Sequence, residues 1–127
     1  MGIPSGSGSE VLLRGLIDAQ STTETSLLFT GAKTATGASG NSVPTDHIIT
    51  MLTVSFCNTT ANNLNIYMTI TGESINCNII SAQPVAGYST FVWNDKFVLK
   101  AGDDLKVTGV GSGTVDVVYS FIDQNWT

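Results

Sequence analysis

Between residues 64 and 71 the chain reads "LNIYMTIT", in which Leu64, Ile66, Met68 and Ile70 alternate with Asn65, Tyr67, Thr69 and Thr71. Successive side chains of a β-strand point to opposite faces, so a period of two describes a strand with one apolar and one polar face. The pattern returns in "GTVDVVYSFID", where Val115, Val117, Tyr119 and Phe121 share a face. In "HIITMLTVSFCN" it predicts Ile48, Leu52, Val54 and Phe56 on one face with Thr50, and Ile49, Met51, Thr53, Ser55 and Cys57 on the other. No segment sustains a 3.6-residue period, and the expected class is all-β.

Strand-like runs are expected near residues 10–18, 25–30, 47–57, 63–71, 75–82, 87–93, 96–100, 103–109 and 114–122. Such regular spacing predicts a single β-sandwich, jelly-roll-like domain of about eight strands. The first run, "EVLLRGLIDA", also reads as a short helix, but Gly15 would cost a helix about 1 kcal/mol, and a strand is preferred. Residues 1–9, small and flexible, form an N-terminal arm ahead of a sandwich domain over 10–127, and residues 31–46 form a long loop within it. That loop is nearly uncharged and lacks aromatics, which suits mobility or a contact between subunits better than a ligand pocket.

Turn chemistry sets the connections. "NTTANN" joins two alternating runs as a hairpin. In "STFVWNDKFVLKAGDDLKV", Asn94-Asp95 is predicted to make a tight turn before the 96–100 strand, and Ala101-Gly102 the next, with Gly102 left-handed. Phe97 and Leu99 then point inward on one side, Leu105 and Val107 on the other. In a jelly roll, Ala101-Gly102 would instead carry the chain to the opposite sheet.

Charge narrows the function. Charged residues are 12% of the 127, against about 25% in ordinary soluble domains, and the net charge is −5. Binding a phosphate backbone requires clustered cations; only Lys96, Lys100 and Lys106 lie near one another, among Asp95, Asp103 and Asp104. Neither nucleic acid nor an anionic membrane is an expected partner. No basic-then-apolar leader opens the chain, and no apolar run nears the ~18 residues of a membrane span, so a soluble protein made in a cytoplasm is expected. Cys57 and Cys77 show no zinc-ligand spacing and are expected to be two free, buried thiols, although one disulfide is permitted.

Catalytic chemistry is not expected. The single histidine, His47, follows Asp46, which in a strand points to the opposite face and cannot orient it. Asp103, Asp104 and Asp116 lack the order of a calcium loop, and "GAKTATGASG" lacks that of a phosphate loop. No catalytic residue, metal or cofactor is assigned. Asn58-Thr59-Thr60 and Asn125-Trp126-Thr127 match the glycosylation sequon, which without a secretion signal is taken as accidental. The aromatics Tyr67, Tyr88, Trp93 and Trp126 leave open a sugar-stacking platform, against a structural role in which Trp93 covers the core edge and Trp126 anchors the C-terminus.

The order "IPSGSGSEVLLRG", "TVSFCNTTANNLNIYMTI", "GYSTFVWNDKFVLKAGDDLKV" and "TVDVVYSFIDQNWT" resembles the small virion structural proteins of tailed phages, most closely a set carried by cyanophages. In that family "VxxxNTT" precedes a strand, "FVWNDKFVL" is followed by "AGDxLxV", and "VDVxxSFIDQ" ends the chain. The resemblance covers most of the chain except residues 31–46. It implies a non-enzymatic β-sandwich on the virion: a capsid decoration (cement) protein bound to the major capsid protein, favoured over a tail, collar or fibre component. It also implies a homo-oligomer, with a trimer favoured. A carbohydrate-binding host-recognition module is the third alternative. The residues expected to make contacts are Ile3 and Pro4 in the arm, Val11 and Leu12 at its junction with the first strand, Trp93, and Trp126.

Overall fold

The structure, a computed structural model, describes residues 9–20, 25–26, 34–35 and 43–125. Its strands are β1 (Ser9–Gln20), β2 (Thr25–Ser26), β3 (Thr34–Ala35), β4 (His47–Asn58), β5 (Leu64–Gly72), β6 (Ile75–Val85), β7 (Thr90–Trp93), β8 (Phe97–Lys100), β9 (Asp104–Gly111) and β10 (Val115–Asn125), with no helix among the described residues. One sheet runs β3-β1-β10-β4, with β7 and β8 both paired to β4, and the other runs β2-β9-β5-β6. All pairings are antiparallel except the short β1–β3 bridge.

The chain changes sheet from β1 to β2, β2 to β3, β4 to β5, β6 to β7, β8 to β9 and β9 to β10. First and last strands are neighbours in one sheet, and the two sheets interleave in sequence. That is the double Greek key of a jelly roll. The domain is thus an all-β sandwich of jelly-roll order, and Ala101-Gly102 is the crossing between sheets. Asp103 N donates to Lys100 O at 3.0 Å, and Gly102 has φ +90°, which makes a turn with a left-handed third residue.

The core lies between the sheets. Phe56, Met68, Leu99, Leu105, Tyr119 and Phe121 are among its fully buried side chains, each contributing about 1.5–3 kcal/mol from removal of apolar surface from water. Alternation in β5 and β10 places Leu64, Ile66, Met68, Val115, Val117, Tyr119 and Phe121 inward, as expected. In β4 it does not hold. Ile49 and Met51 are buried, then Val54 and Phe56, while Ile48 and Leu52 are not. The register explains the change: Ser120 pairs with Thr53 and Phe121 with Met51, leaving Leu52 as an extra residue in a β-bulge. One inserted residue exchanges the faces of everything beyond it.

Residues 94–95 also depart from expectation. β7 and β8 are not a hairpin; they are successive pieces of one edge strand along β4, with Trp93 opposite Val54 and Phe97 opposite Met51. Three residues, 94–96, face two of β4, and neither Asn94 nor Asp95 has positive φ. The positive-φ turn is elsewhere: Glu73 (φ 53°) and Ser74 (φ 62°) close the β5–β6 hairpin as a type I′ turn without glycine. Two opposite outcomes follow. Ser74→Gly is expected to raise stability by about 1 kcal/mol by relieving the left-handed backbone. Gly102→Ala, whose added methyl has open space, is expected to lower stability by about 1 kcal/mol through φ alone. Urea denaturation of the two variants checks both signs.

Residues 1–8 of the expected arm lie outside the described residues, and β1 starts at Ser9. Within 31–46, Thr34–Ala35 bridges β1. Val43 is buried, donating to Asp103 O and accepting from Gly102 N. The end of this segment is therefore pinned to the β8–β9 crossing.

Candidate interaction surface

The outer face of the six-stranded sheet is unusual in being apolar. Residue pairing carries rows straight across four strands. One row is Leu12, Ile122, Thr50 and Val98, and another is Leu16, Val118, Ser55 and Val92. Leu12 is 69% exposed, Val98 61%, Val92 51% and Val118 42%. Between these rows stand Arg14, Ser120 and Thr53, with the two hydroxyls 2.9 Å apart. At one border Glu10, Gln124, Ile48 and Lys100 form a further row. An antiparallel sheet that faces water ordinarily alternates apolar-in with polar-out. Here Leu and Val stand on the outside in two rows, and exposed apolar side chains grouped in this way mark an interaction site.

Of the residues expected to make contacts, Leu12 lies on this face. Val11 is half exposed at the opposite face of the same strand, near its start. Trp93 is half-buried, points inward at the sheet edge and packs against the core, its indole Nε1 donating to Asp95 O at 3.0 Å. Ile3, Pro4 and Trp126 lie outside the described residues. Tyr88 is exposed on the β6–β7 connection, and Tyr67 is on the outer side of β5, in the other sheet. The three described aromatics of the sugar-platform reading therefore do not share a surface.

Polar groups cluster at the two ends of the sandwich. At the end where β4 begins, His47 Nδ1 and Asp123 Oδ1 are 2.7 Å apart, so the partner of the histidine is Asp123 and not Asp46. Nothing in the sequence separation of His47 and Asp123 signals this; the β4–β10 pairing creates it. Among the described residues no hydroxyl or thiol bonds His47. The Glu73 carboxylate and Lys100 ammonium are ion-paired across the gap between the sheets. Hydrogen bonding to Lys100, then its charge, lowers the Glu73 pKa, and the same contact raises that of Lys100. Both groups are solvated, and the pair is a surface contact. Inside the four-stranded sheet's edge, Ser26 Oγ donates to the buried carboxylate of Asp104 at 3.2 Å, with Lys106 Nζ at 4.0 Å.

At the other end Asn58, buried, joins two loops. Its Nδ2 donates to Asn62 O at 2.7 Å, Val85 O at 3.2 Å and Ala86 O at 3.3 Å, and its Oδ1 accepts from Thr60 N and Oγ1. The sequon nitrogen is thus enclosed. Cys57 is half-buried and Cys77 exposed, both free, which corrects the expectation of two buried thiols: Cys77 belongs to β6, the edge of its sheet. No group of three or more His, Cys, Asp or Glu that could hold a metal occurs among the described residues.

No family model matches the chain, and no curated protein matches it. Among solved structures, the VP2 subviral particle of infectious bursal disease virus is similar in fold, with a TM-score of 0.52 at 9% identity over 92% of this chain and 32% of that one. A structure of the Gx strain of infectious bursal disease virus gives a TM-score of 0.48 at 9% identity over 93% of this chain and 31% of that one. This chain therefore spans about a third of the length of those chains. The likeness is one of fold.

Proposed function

We propose that the chain is a non-enzymatic structural subunit of a phage virion, and that it decorates the capsid by seating on joints between major capsid protein subunits. The observation that carries this reading is the jelly-roll order of the two sheets, beside a likeness in fold to the VP2 subviral particle over 92% of this chain. Jelly rolls serve viral capsids, lectins and cupins. A cupin metal centre draws on several histidines, and this chain has one. A sugar platform calls for grouped aromatics, whereas Tyr67, Tyr88 and Trp93 are apart. A virion subunit requires neither; it requires area.

The surface supplies that area. A cement protein stabilises a shell by covering subunit joints, and its contacts favour apolar surface with few charges, because each charge buried at an interface must be paired. The exposed apolar rows and the 12% charge content fit this requirement. Leu12, next to the arm of residues 1–9, extends it toward the start of β1, and Val11 adds exposed apolar surface on the opposite face there. In the arm, Ile3 and Pro4 would add an extended segment to a neighbour's sheet edge, as strand addition does.

Cryo-electron microscopy of purified particles, with copy number measured against the major capsid protein, tests the proposal. Density at capsid joints, with copies in proportion to capsid subunits, is the expected result. Density confined to a tail, collar or fibre would replace decoration by the second virion role. Absence from the particle would overturn both.

A further inference from the structure

We infer that the outer face of the six-stranded sheet joins two copies of this chain about a twofold axis that lies in the interface and runs along the strands. Such an axis keeps each row of residues and exchanges the columns. β1 then lies over the partner's β7 and β8, and β10 over the partner's β4. In this arrangement Leu12 meets the partner's Val98, and Leu16 meets the partner's Val92. Large side chains also meet small ones in the middle columns, Ile122 over the partner's Thr50 and Val118 over the partner's Ser55, which lets two sheet faces interdigitate.

The charges agree with the same operation. Glu10 and Lys100 occupy opposite ends of one row, so column exchange brings each over its opposite in the second copy, where Lys100, paired with Glu73 in its own chain, would leave that solvated contact or share its ammonium between both carboxylates. Both residues are exposed. The contact is isologous, so the favourable pair forms twice. The other in-plane twofold, perpendicular to the strands, keeps columns and reverses rows. It would set Arg14 near the partner's Arg14, and among the described residues Arg14 has no carboxylate to offset this. The charge pattern therefore selects one axis.

Size sets the strength. Four strands about 4.8 Å apart, over about seven residues at ~3.3 Å each, give roughly 440 Å² of plan area per copy. The pair then buries about 900 Å², close to the lower limit of about 1,000 Å² for a specific interface. A contact of that size belongs among weak, transient interfaces, so the isolated chain should dimerise weakly, with micromolar-to-millimolar affinity. The inference concerns the protein alone in solution; on a particle the same face would meet the capsid in place of the second copy.

Sedimentation equilibrium of the full chain from ~10 μM to ~1 mM, a range set around that affinity, tests it. The wild type is expected to be a monomer–dimer system. Leu12→Glu is expected to weaken dimerisation at least ~10-fold by placing a carboxylate against the partner's Val98. Leu12→Glu with Val98→Lys is expected to restore it to within ~3-fold of wild type by creating two cross-interface ion pairs. Both sites are exposed, so thermal denaturation should show wild-type folding and separate lost association from lost structure. A wild type that stays monomeric to ~1 mM or forms a trimer would overturn the inference. So would Leu12→Glu with unchanged dimerisation, or a double variant that remains dissociated.

Discussion

Gly15→Ala is expected to destabilise the protein by about 3 kcal/mol, the upper end of the cost of overpacking a core. Gly15 is buried in β1 directly opposite Tyr119 of β10, and the tyrosine ring lies over the glycine. An added methyl would land on Cζ and Oη of that ring. Tyr119 cannot swing aside freely, because it is wholly buried and stacked on Phe121 with ring centroids 5.8 Å apart. The sign is diagnostic. In a strand with open space, Gly→Ala should stabilise by roughly 0.5–1 kcal/mol through reduced chain entropy. Denaturant titration that finds Gly15→Ala neutral or stabilising would show that the ring does not occupy this space. Shrinking the ring should recover part of the loss, so Gly15→Ala with Tyr119→Leu should cost less than the sum of its parts by about 1–2 kcal/mol.

Asn58→Leu is expected to cost about 3 kcal/mol, because it removes five hydrogen bonds that join the β4–β5 loop to the start of the β6–β7 connection. Leucine keeps the branched outline of asparagine, and although its methyl groups are bulkier than the amide and add some overpacking, the larger cost is lost partners. The loss is one of partners: Val85 O and Thr60 N are left without the amide, and buried polar groups without partners cost about 1–3 kcal/mol each. Asn58→Asp separates this account from a simple size effect. Aspartate keeps the oxygen that Thr60 requires but turns the donor toward three carbonyl oxygens into an acceptor. It should be at least as destabilising as leucine despite being nearly isosteric. A thermal melt that places Asn58→Asp near wild type would reject this role.

Both predictions bear on function through rigidity. The sandwich presents its outer face flat only if β1 and β10 keep their register, which Gly15 and Tyr119 hold from below. Arg14 and Leu16 flank Gly15 in sequence and, with Leu12, point the other way. A residue change that lifts the ring therefore distorts the apolar rows without touching them, and Gly15→Ala should weaken self-association as well as stability.

The all-β class, the jelly-roll-like sandwich and nearly every strand position could be read from period-two alternation and turn residues, because burial of one strand face is a local pattern. β5 and β10 show it without interruption. β4 does not: the sequence places Ile48 and Leu52 inward, and the bulge at Leu52 places Ile49 and Met51 there. A bulge depends on the partner strand's spacing, which the strand itself does not encode. The same holds for residues 94–96, whose Asn-Asp pair is good turn chemistry but sits in one edge strand held along β4.

The candidate surface was legible only in fragments. Leu12 was visible as an apolar residue next to a flexible arm, but its neighbours Ile122, Thr50 and Val98 come from three other strands. His47 and Asp123 lie far apart in the chain and meet only through the same pairing. By itself the sequence determined the all-β class, the buried faces of β5 and β10 and the turn at Ala101-Gly102, since these follow from each side chain and its near neighbours. Only the tertiary structure decided strand order, register and the outer face of Leu and Val, because hydrogen-bonded pairing between distant segments sets which side chains stand in a row.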